Sequence, residues 1–242
     1  MKYGIIADIH SNLEALETVL LELSGVDKIV CLGDIVGYGP NPNECCQKIR
    51  ELKCITVAGN HEKAVIQEMS LEFFNKNAGE AVLWTREKIT PDNFEYLKRL
   101  PLIEKMDDFV AVHGSLRNPL EEYLTSLAEG IPTLEEMEAP ICFVGHSHVP
   151  LVIFKSENGS YDGRRLQDRE EINTKLFTKM VLNPGGVGQP RDRDPRASYA
   201  IYDSEKKLAT FYRVSYNIGT VQEKMRQENL PVSLIERIAY GR

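Results

Sequence analysis

Apolar runs that end abruptly in a polar, glycine-bearing turn recur along the first half of the chain. Residues 2–7 (KYGIIA) form the first, and Ser11-Asn12-Leu13-Glu14 supplies a capping box that opens a helix through about Leu23. Lys28–Leu32 is the next run. It leads into Gly33-Asp34, a loop rich in Gly, Pro and Asn, and a helix started by Asn41 with Pro42 at its first position. Ile55–Ala58 is the third and ends in Gly59-Asn60-His61. Strands alternating with helices at this spacing predict a largely parallel sheet flanked by helices.

Residues 61–100 read as a helical insertion, with Thr90-Pro91-Asp92-Asn93 starting one of its helices. Strands return at Phe109–Val112, before His113-Gly114, and at Ile141–Val144, before Gly145-His146. The last third is more antiparallel. Leu151–Lys155 is turned by Glu157-Asn158-Gly159, and Ser198–Asp203 with Leu208–Val214 reads as a hairpin around Ser204–Lys207. The charged stretch 162–175 is expected to be a surface loop, and residues 217–242 one or two terminal helices. No repeat or low-complexity linker divides the sequence, so residues 1–242 are expected to form a single domain.

Composition narrows the setting. The chain has 242 residues, 42% apolar and 27% charged, enough to bury a substantial core. No apolar run reaches the roughly 20 residues that span a bilayer, and Met1-Lys2 leads into a strand rather than a signal peptide. A cytoplasmic protein with no membrane partner is expected. The net charge of −7 argues against long nucleic acid as a partner. It leaves room for a small anionic substrate, because bound metals invert the local field of an acidic protein. The five cysteines are odd in number and lack C-x-x-C spacing, so they read as reduced thiols.

The chemistry gathers at five stations, each just after an apolar run: Asp8-Ile9-His10, Gly33-Asp34, Gly59-Asn60-His61-Glu62, His113-Gly114 and Gly145-His146-Ser147-His148. Ligands of open α/β sheets bind at the carboxyl ends of strands, where such loops converge. Any one histidine reads more simply as a core or loop residue, but all five histidines of the chain lie at these stations. Imidazole, carboxylate and amide oxygen without thiolate suit Mn²⁺, Fe, Zn²⁺ or Ni²⁺. A closed structural zinc site would be richer in cysteine. The ligands exceed what one metal needs and serve a pair of ions if one carboxylate bridges.

In this order the stations resemble the motif series of the calcineurin-like metallophosphoesterases. Gly33–Pro42 (GDIVGYGPNP) and Asn183–Arg191 (NPGGVGQPR) are similar to the small bacterial and archaeal phosphodiesterase branch of that superfamily. The resemblance implies an α/β fold, a four-layer sandwich of two mixed sheets flanked by helices. It implies two divalent metal ions, Mn²⁺ as the first expectation, with Asp8, His10 and His148 on one, Asn60, His113 and His146 on the other, and Asp34 bridging. It leaves His61 off the metals.

Such a pair of ions, roughly 3.5–4 Å apart, clamps the attacking and leaving oxygens of an in-line displacement and brings a bound water to a pKa of about 7. The expected activity is hydrolysis of small phosphodiesters or nucleotide anhydrides by attack of a metal-bridging hydroxide on phosphorus, with a small phosphate ester or nucleotide as substrate. His61 is the candidate general acid, or else a support for the ligand shell. Glu62 either orients His61 or complements a helix N-terminus. Arg191 and Arg193, after a glycine-rich turn, are candidates for holding substrate phosphate, the plainer alternative being that the arginines of this loop pair with Asp192 and Asp194. Tyr38 reads equally as pocket lining or packing. A Ser/Thr phosphoprotein phosphatase, a nuclease of the same superfamily and an inert interaction module are the rivals. Respectively, the missing extra arginines, the acidic charge and the complete ligand set count against them. A homo-oligomer is compatible with the sequence.

Overall fold

The computed structural model describes residues 1–242. In chain order the elements are β1 (Lys2–Ile6), α1 (Leu13–Glu22), β2 (Lys28–Cys31), α2 (Pro42–Glu51), β3 (Ile55–Thr56), α3 (Asn60–Val65), α4 (Lys76–Lys88), α5 (Pro91–Lys98), β4 (Ile103–Lys105) and β5 (Phe109–Val112). They continue as α6 (Leu127–Glu136), β6 (Ile141–Phe143), β7 (Leu151–Lys155), β8 (Tyr161–Arg165), β9 (Glu171–Asn173), β10 (Lys179–Asn183), β11 (Ala197–Asp203), β12 (Leu208–Val214), α7 (Ile218–Gln227) and α8 (Val232–Arg237).

The strands form two six-stranded sheets, ordered β3-β2-β1-β11-β12-β9 and β4-β5-β6-β10-β7-β8. The expected parallel sheet is present as the parallel trio β1, β2 and β3, but β11 lies antiparallel on β1 and makes the sheet mixed. In the second sheet β5, β6 and β10 are parallel and β4 and β7 antiparallel to them. Successive residues of a strand point to opposite faces, and here both faces are covered. Ile5, Val30, Ala111 and Phe143 enter the core between the sheets, while Ile6 and Cys31 pack under α1 and α2. Val110, Val112 and Cys142 pack with Leu134 of α6 on the far side. Double coverage is why these strands appear in the sequence as continuous apolar runs rather than alternating ones. The result is a four-layer sandwich.

Three expectations need correction. The charged stretch 162–175 is not a loop. It contains most of β8 and all of β9, edge strands whose side chains are largely exposed. Ser11 does not cap α1. The cap is Asn12, which accepts from the Ala15 amide at 3.1 Å, while Ser11 is held at φ 54° by the turn that carries His10. Glu14 pairs with Lys224 of α7 instead of reaching back to the cap. Helix α6 was not anticipated, because Gly130 and Pro132 lie inside it. Gly130 is needed there: a Cβ would stand 2.4 Å from Ile153 Cδ1. All five cysteines are free, and among the described residues no helix is long and apolar enough to cross a membrane.

Phe143 lies fully buried between the sheets, edge-on to Phe109 at 5.2 Å. Phe143→Ala is expected to lower the free energy of unfolding by about 3–5 kcal/mol. Leu176→Ala, at a side chain 63% exposed, should change it by less than about 0.5 kcal/mol. Equilibrium denaturation of the two variants checks the difference.

Candidate metal centre

The strand ends meet in sharp turns. Asp8 (φ 54°), His10 (48°), Asp34 (53°), His146 (63°) and His148 (58°) all occupy the left-handed region, which costs a non-glycine residue about 1–3 kcal/mol. Cross-bonds between the loops hold this strain. Asp8 N–H donates to Gly33 O (3.1 Å), His10 N–H to Asp34 O (2.9 Å), and Gly145 N–H to His113 O (2.8 Å). His146 N–H donates to Asp8 Oδ1 at 3.1 Å and His61 N–H to Asp34 Oδ1 at 3.0 Å. Gly59 lies so close that a Cβ would be 2.1 Å from Asp34 Oδ1.

Glu62 takes a role that neither sequence reading described in full. Its buried carboxylate accepts from the amides of Asp34 (2.7 Å), Gly59 (2.7 Å) and Val36 (3.1 Å). It therefore clamps the Asp34 loop to the start of α3 and does not bond the His61 ring. Burial, and then the charge of Asp34, raise its pKa to about 7, against the pull of those amides.

Four imidazoles converge with a common polarity. His10 Nδ1 faces Val36 O (3.1 Å), His113 Nδ1 faces Leu32 O (2.8 Å), His148 Nδ1 faces Gln189 O (2.5 Å), and His146 Nε2 faces Glu121 O (3.3 Å). A carbonyl only accepts, so each of these nitrogens carries the proton. The opposite nitrogens point inward and, in a neutral ring, present a lone pair there. His10 Nε2 is 3.2 Å from His148 Nε2, and His113 Nε2 is 3.0 Å from His146 Nδ1 and 3.2 Å from Asn60 Oδ1. Asp34 Oδ2 lies 3.6 Å from His10 Nε2 and 3.4 Å from His113 Nε2, and Asp8 Oδ1 lies 3.4 Å from His148 Nε2. Acceptors facing acceptors in a buried pocket are unfavourable without a cation among them.

The donors fall into two groups, Asp8, His10, Asp34 and His148, and Asp34, His113 and His146, each with ligand atoms within 4.8 Å of one another. Asp34 belongs to both. Asp8 Oδ2 and Asp34 Oδ2 are buried with no hydrogen-bond partner, as a carboxylate meant for a metal would be. The residues present fit divalent cations.

Protonation points the same way. Burial drives His10 and His148 well below the ordinary histidine range and His146 to about 3. Burial also raises Asp8 to about 7. Burial opposes the charge on His113, but the neighbouring Asp34 carboxylate outweighs it and lifts that ring to about 9. Without metal the inward Nε2 of His113 thus takes up a proton toward Asp34, the one exception among the four rings, and a cation would replace that proton.

His61 packs beside this cluster, its ring 4.7 Å from His10, 4.5 Å from Tyr38 and 5.1 Å from Phe74. Gly37, at φ 90°, makes room for it: a Cβ there would be 2.1 Å from His61 Nδ1. Burial lowers its pKa to about 4, and Nδ1 has no partner. Tyr38 is buried and serves both readings, packing on His10 and meeting Arg191 Nη2 at 3.5 Å.

The arginines separate. Arg191 donates to Gln189 Oε1 (2.8 Å), and its charge reaches Asp8 and the histidines. Arg193 is exposed, and its backbone N–H donates to Gly241 O at 2.8 Å, so the structure does not bring it to the cluster. Arg196 pairs with Asp194 and Asp168, whereas Asp192 pairs with Arg213 rather than with an arginine of its own loop. Two contributors had no role assigned from the sequence, Asn183 although it heads the NPGGVGQPR string. Asn183 Nδ2 braces the His146 turn through Gly145 O (2.6 Å) and Ser147 Oγ (3.0 Å), and Tyr123 stacks on His146 at 3.8 Å.

Comparison with known proteins agrees with this geometry. Residues 1–207 match the model of the calcineurin-like phosphoesterase superfamily domain, and the chain belongs to that family. Its fold is similar to a metallophosphoesterase from Sphaerobacter thermophilus, with a TM-score of 0.91 and 42% identity over 100% of both chains. An uncharacterized protein of Methanocaldococcus jannaschii, MJ0912, is 41% identical over 99% of this chain and 98% of its own. The phosphodiesterase YfcE of Escherichia coli K12 is 26% identical over 85% of this chain and 89% of its own. The chain is therefore a metallophosphoesterase of the small prokaryotic type, a family that uses divalent metal.

Because His113 is raised to about 9 and Asp8 to about 7, metal uptake at pH 7 must displace protons. Mn²⁺ titrations by calorimetry in buffers of different ionisation enthalpy should detect their release. The number released should fall as pH rises from 7 through 9, and apparent affinity should rise over the same range.

Proposed function

We propose that the chain hydrolyses small phosphodiesters or nucleotide anhydrides, using two divalent cations, Mn²⁺ foremost. Asp8, His10 and His148 would hold one, Asn60, His113 and His146 the other, and Asp34 would serve both. The observation that carries this reading is the inward convergence of ring nitrogens, every outward ring nitrogen being already committed to a carbonyl. Bound there, the cations would supply Lewis-acid stabilisation of the phosphoryl oxygens and a water acidic enough to ionise at neutral pH.

The chain's own groups would do the rest. Fixed carbonyls keep the rings from turning, so little reorganisation accompanies the reaction. Arg191, with a guanidinium bonded to the neutral Gln189 side chain, is free to hold a substrate phosphate oxygen. His61 is kept neutral at pH 7 by burial, and its ring would offer one N–H as a hydrogen bond to the departing oxygen as charge develops on it, keeping the proton on the ring. Cleavage of diesters is supported by the name of the E. coli relative.

Activity on an aryl phosphodiester should vanish when the protein is stripped by chelator and return with Mn²⁺. In the reloaded enzyme His61→Gln should lower kcat about 10²–10³-fold for a poor alkoxide leaving group and much less for nitrophenolate, which spreads the developing charge over its ring. Equal losses on both substrates would reduce His61 to a positioning residue. Full activity without metal would contradict the proposal as a whole.

A further inference from the structure

No motif of the sequence contains Arg237, yet the fold carries its helix against Tyr38, the residue that packs on His10. The apolar face of α8 buries Leu234, Ile235 and Ile238 in one cluster with Tyr38, which sets the helix beside the loop that follows β2. Just beyond α8 the chain is pinned to the loop bearing Arg191. Arg193 N–H donates to Gly241 O at 2.8 Å, and Gly241, at φ 62°, lies so close to Asp194 that a Cβ would stand 2.7 Å from its backbone. Arg237 sits between these two anchors. Its side chain is half-buried, and Nε donates to the main-chain oxygen of Arg242. Its charge acts on Arg191, Tyr38 and Tyr123, the last stacked on His146.

The guanidiniums of Arg191 and Arg237 share one further property. The bonds of Arg191 go to Gln189 and Tyr38, and Arg237 donates through Nε alone, to the main-chain oxygen of the last residue, Arg242, so among the described residues neither is paired with an Asp or Glu side chain. Arg196 and Arg213, close by, do: each is paired with an aspartate. Two partly desolvated cations that repel one another are retained at a cost, which an anion lying between them would offset. Guanidinium forks match phosphate oxygens in shape as well as charge.

We propose that Arg191 and Arg237 form a second anion subsite beside the metal centre, which takes the phosphate adjoining the one under attack. The subsite directs the enzyme to substrates with consecutive phosphates, nucleotide anhydrides above simple diesters. It rests on the phosphohydrolase reading above and sharpens it, assigning to Arg237 the place that Arg193 does not reach.

The test uses the full-length, Mn²⁺-loaded protein in buffer of fixed free Mn²⁺. It compares affinity for methylenediphosphonate, an uncleavable pair of phosphates, with affinity for orthophosphate. Wild type should bind the diphosphonate more tightly. Arg237→Gln should weaken the diphosphonate about tenfold or more and orthophosphate by less than about threefold, since only the former reaches the second subsite. Arg237→Lys, which keeps the charge but not the fork, should fall between. It carries the same comparison should the glutamine variant fold poorly. Equal losses on both probes, or none on either, overturn the subsite. So does a wild type that binds both equally well. A loaded wild type that binds neither probe overturns the phosphohydrolase reading and the subsite with it.

Discussion

Every part of this site depends on where four imidazole protons point. Each is committed outward to a backbone carbonyl, of Val36, Leu32, Glu121 or Gln189, and the rings cannot turn without leaving a carbonyl unpaired in the interior. The inward nitrogens of His10 and His148 are left as lone pairs 3.2 Å apart on one side of Asp34, and on the other side Nδ1 of His146 lies 3.0 Å from the Nε2 of His113, which holds a proton toward Asp34 until a cation takes its place. Protonating all four rings there would carry a large desolvation cost. Cations remove the conflict, and the shared Asp34 lets one carboxylate serve both sides.

The fold reads as the means of holding that arrangement. Its two sheets bring five strand ends to one point, and the left-handed residues at those ends aim the donors over the strands. Glu62 ties three amides of the Asp34 and Gly59 loops, and Asn183 ties the His146 turn to the end of β10. These bonds oppose the local strain. Substitution at Glu62 would therefore act on the metal centre without touching it. The terminal helices close the far wall, packing on Tyr38 from a distant part of the chain.

What the sequence revealed follows the same physics. Strands covered on both faces leave apolar runs, so β1, β2, β5, β6 and β7 were legible. Edge strands β8 and β9 bury little, and their polar residues read as a loop. Helix α6 hid behind Gly130 and Pro132, although Ser126 and Glu129 form the capping box that announces it. Ser11 and Asn12 both suit a helix cap, and only the turn geometry of His10 decides between them. The histidines and aspartates stood out because side-chain chemistry marks them. Their carbonyl anchors did not, since any residue supplies a carbonyl. Arg237 was invisible for another reason: its role comes from the docking of α8 and not from its neighbours in sequence.

An anomalous diffraction map from crystals grown with Mn²⁺ tests the central claim most directly. It should contain two peaks, each touching the Asp34 carboxylate. One should be ligated by Nε2 of His10 and His148, the other by Nε2 of His113 and Nδ1 of His146. A single peak, or ligation through the nitrogens that face the carbonyls, would contradict the account.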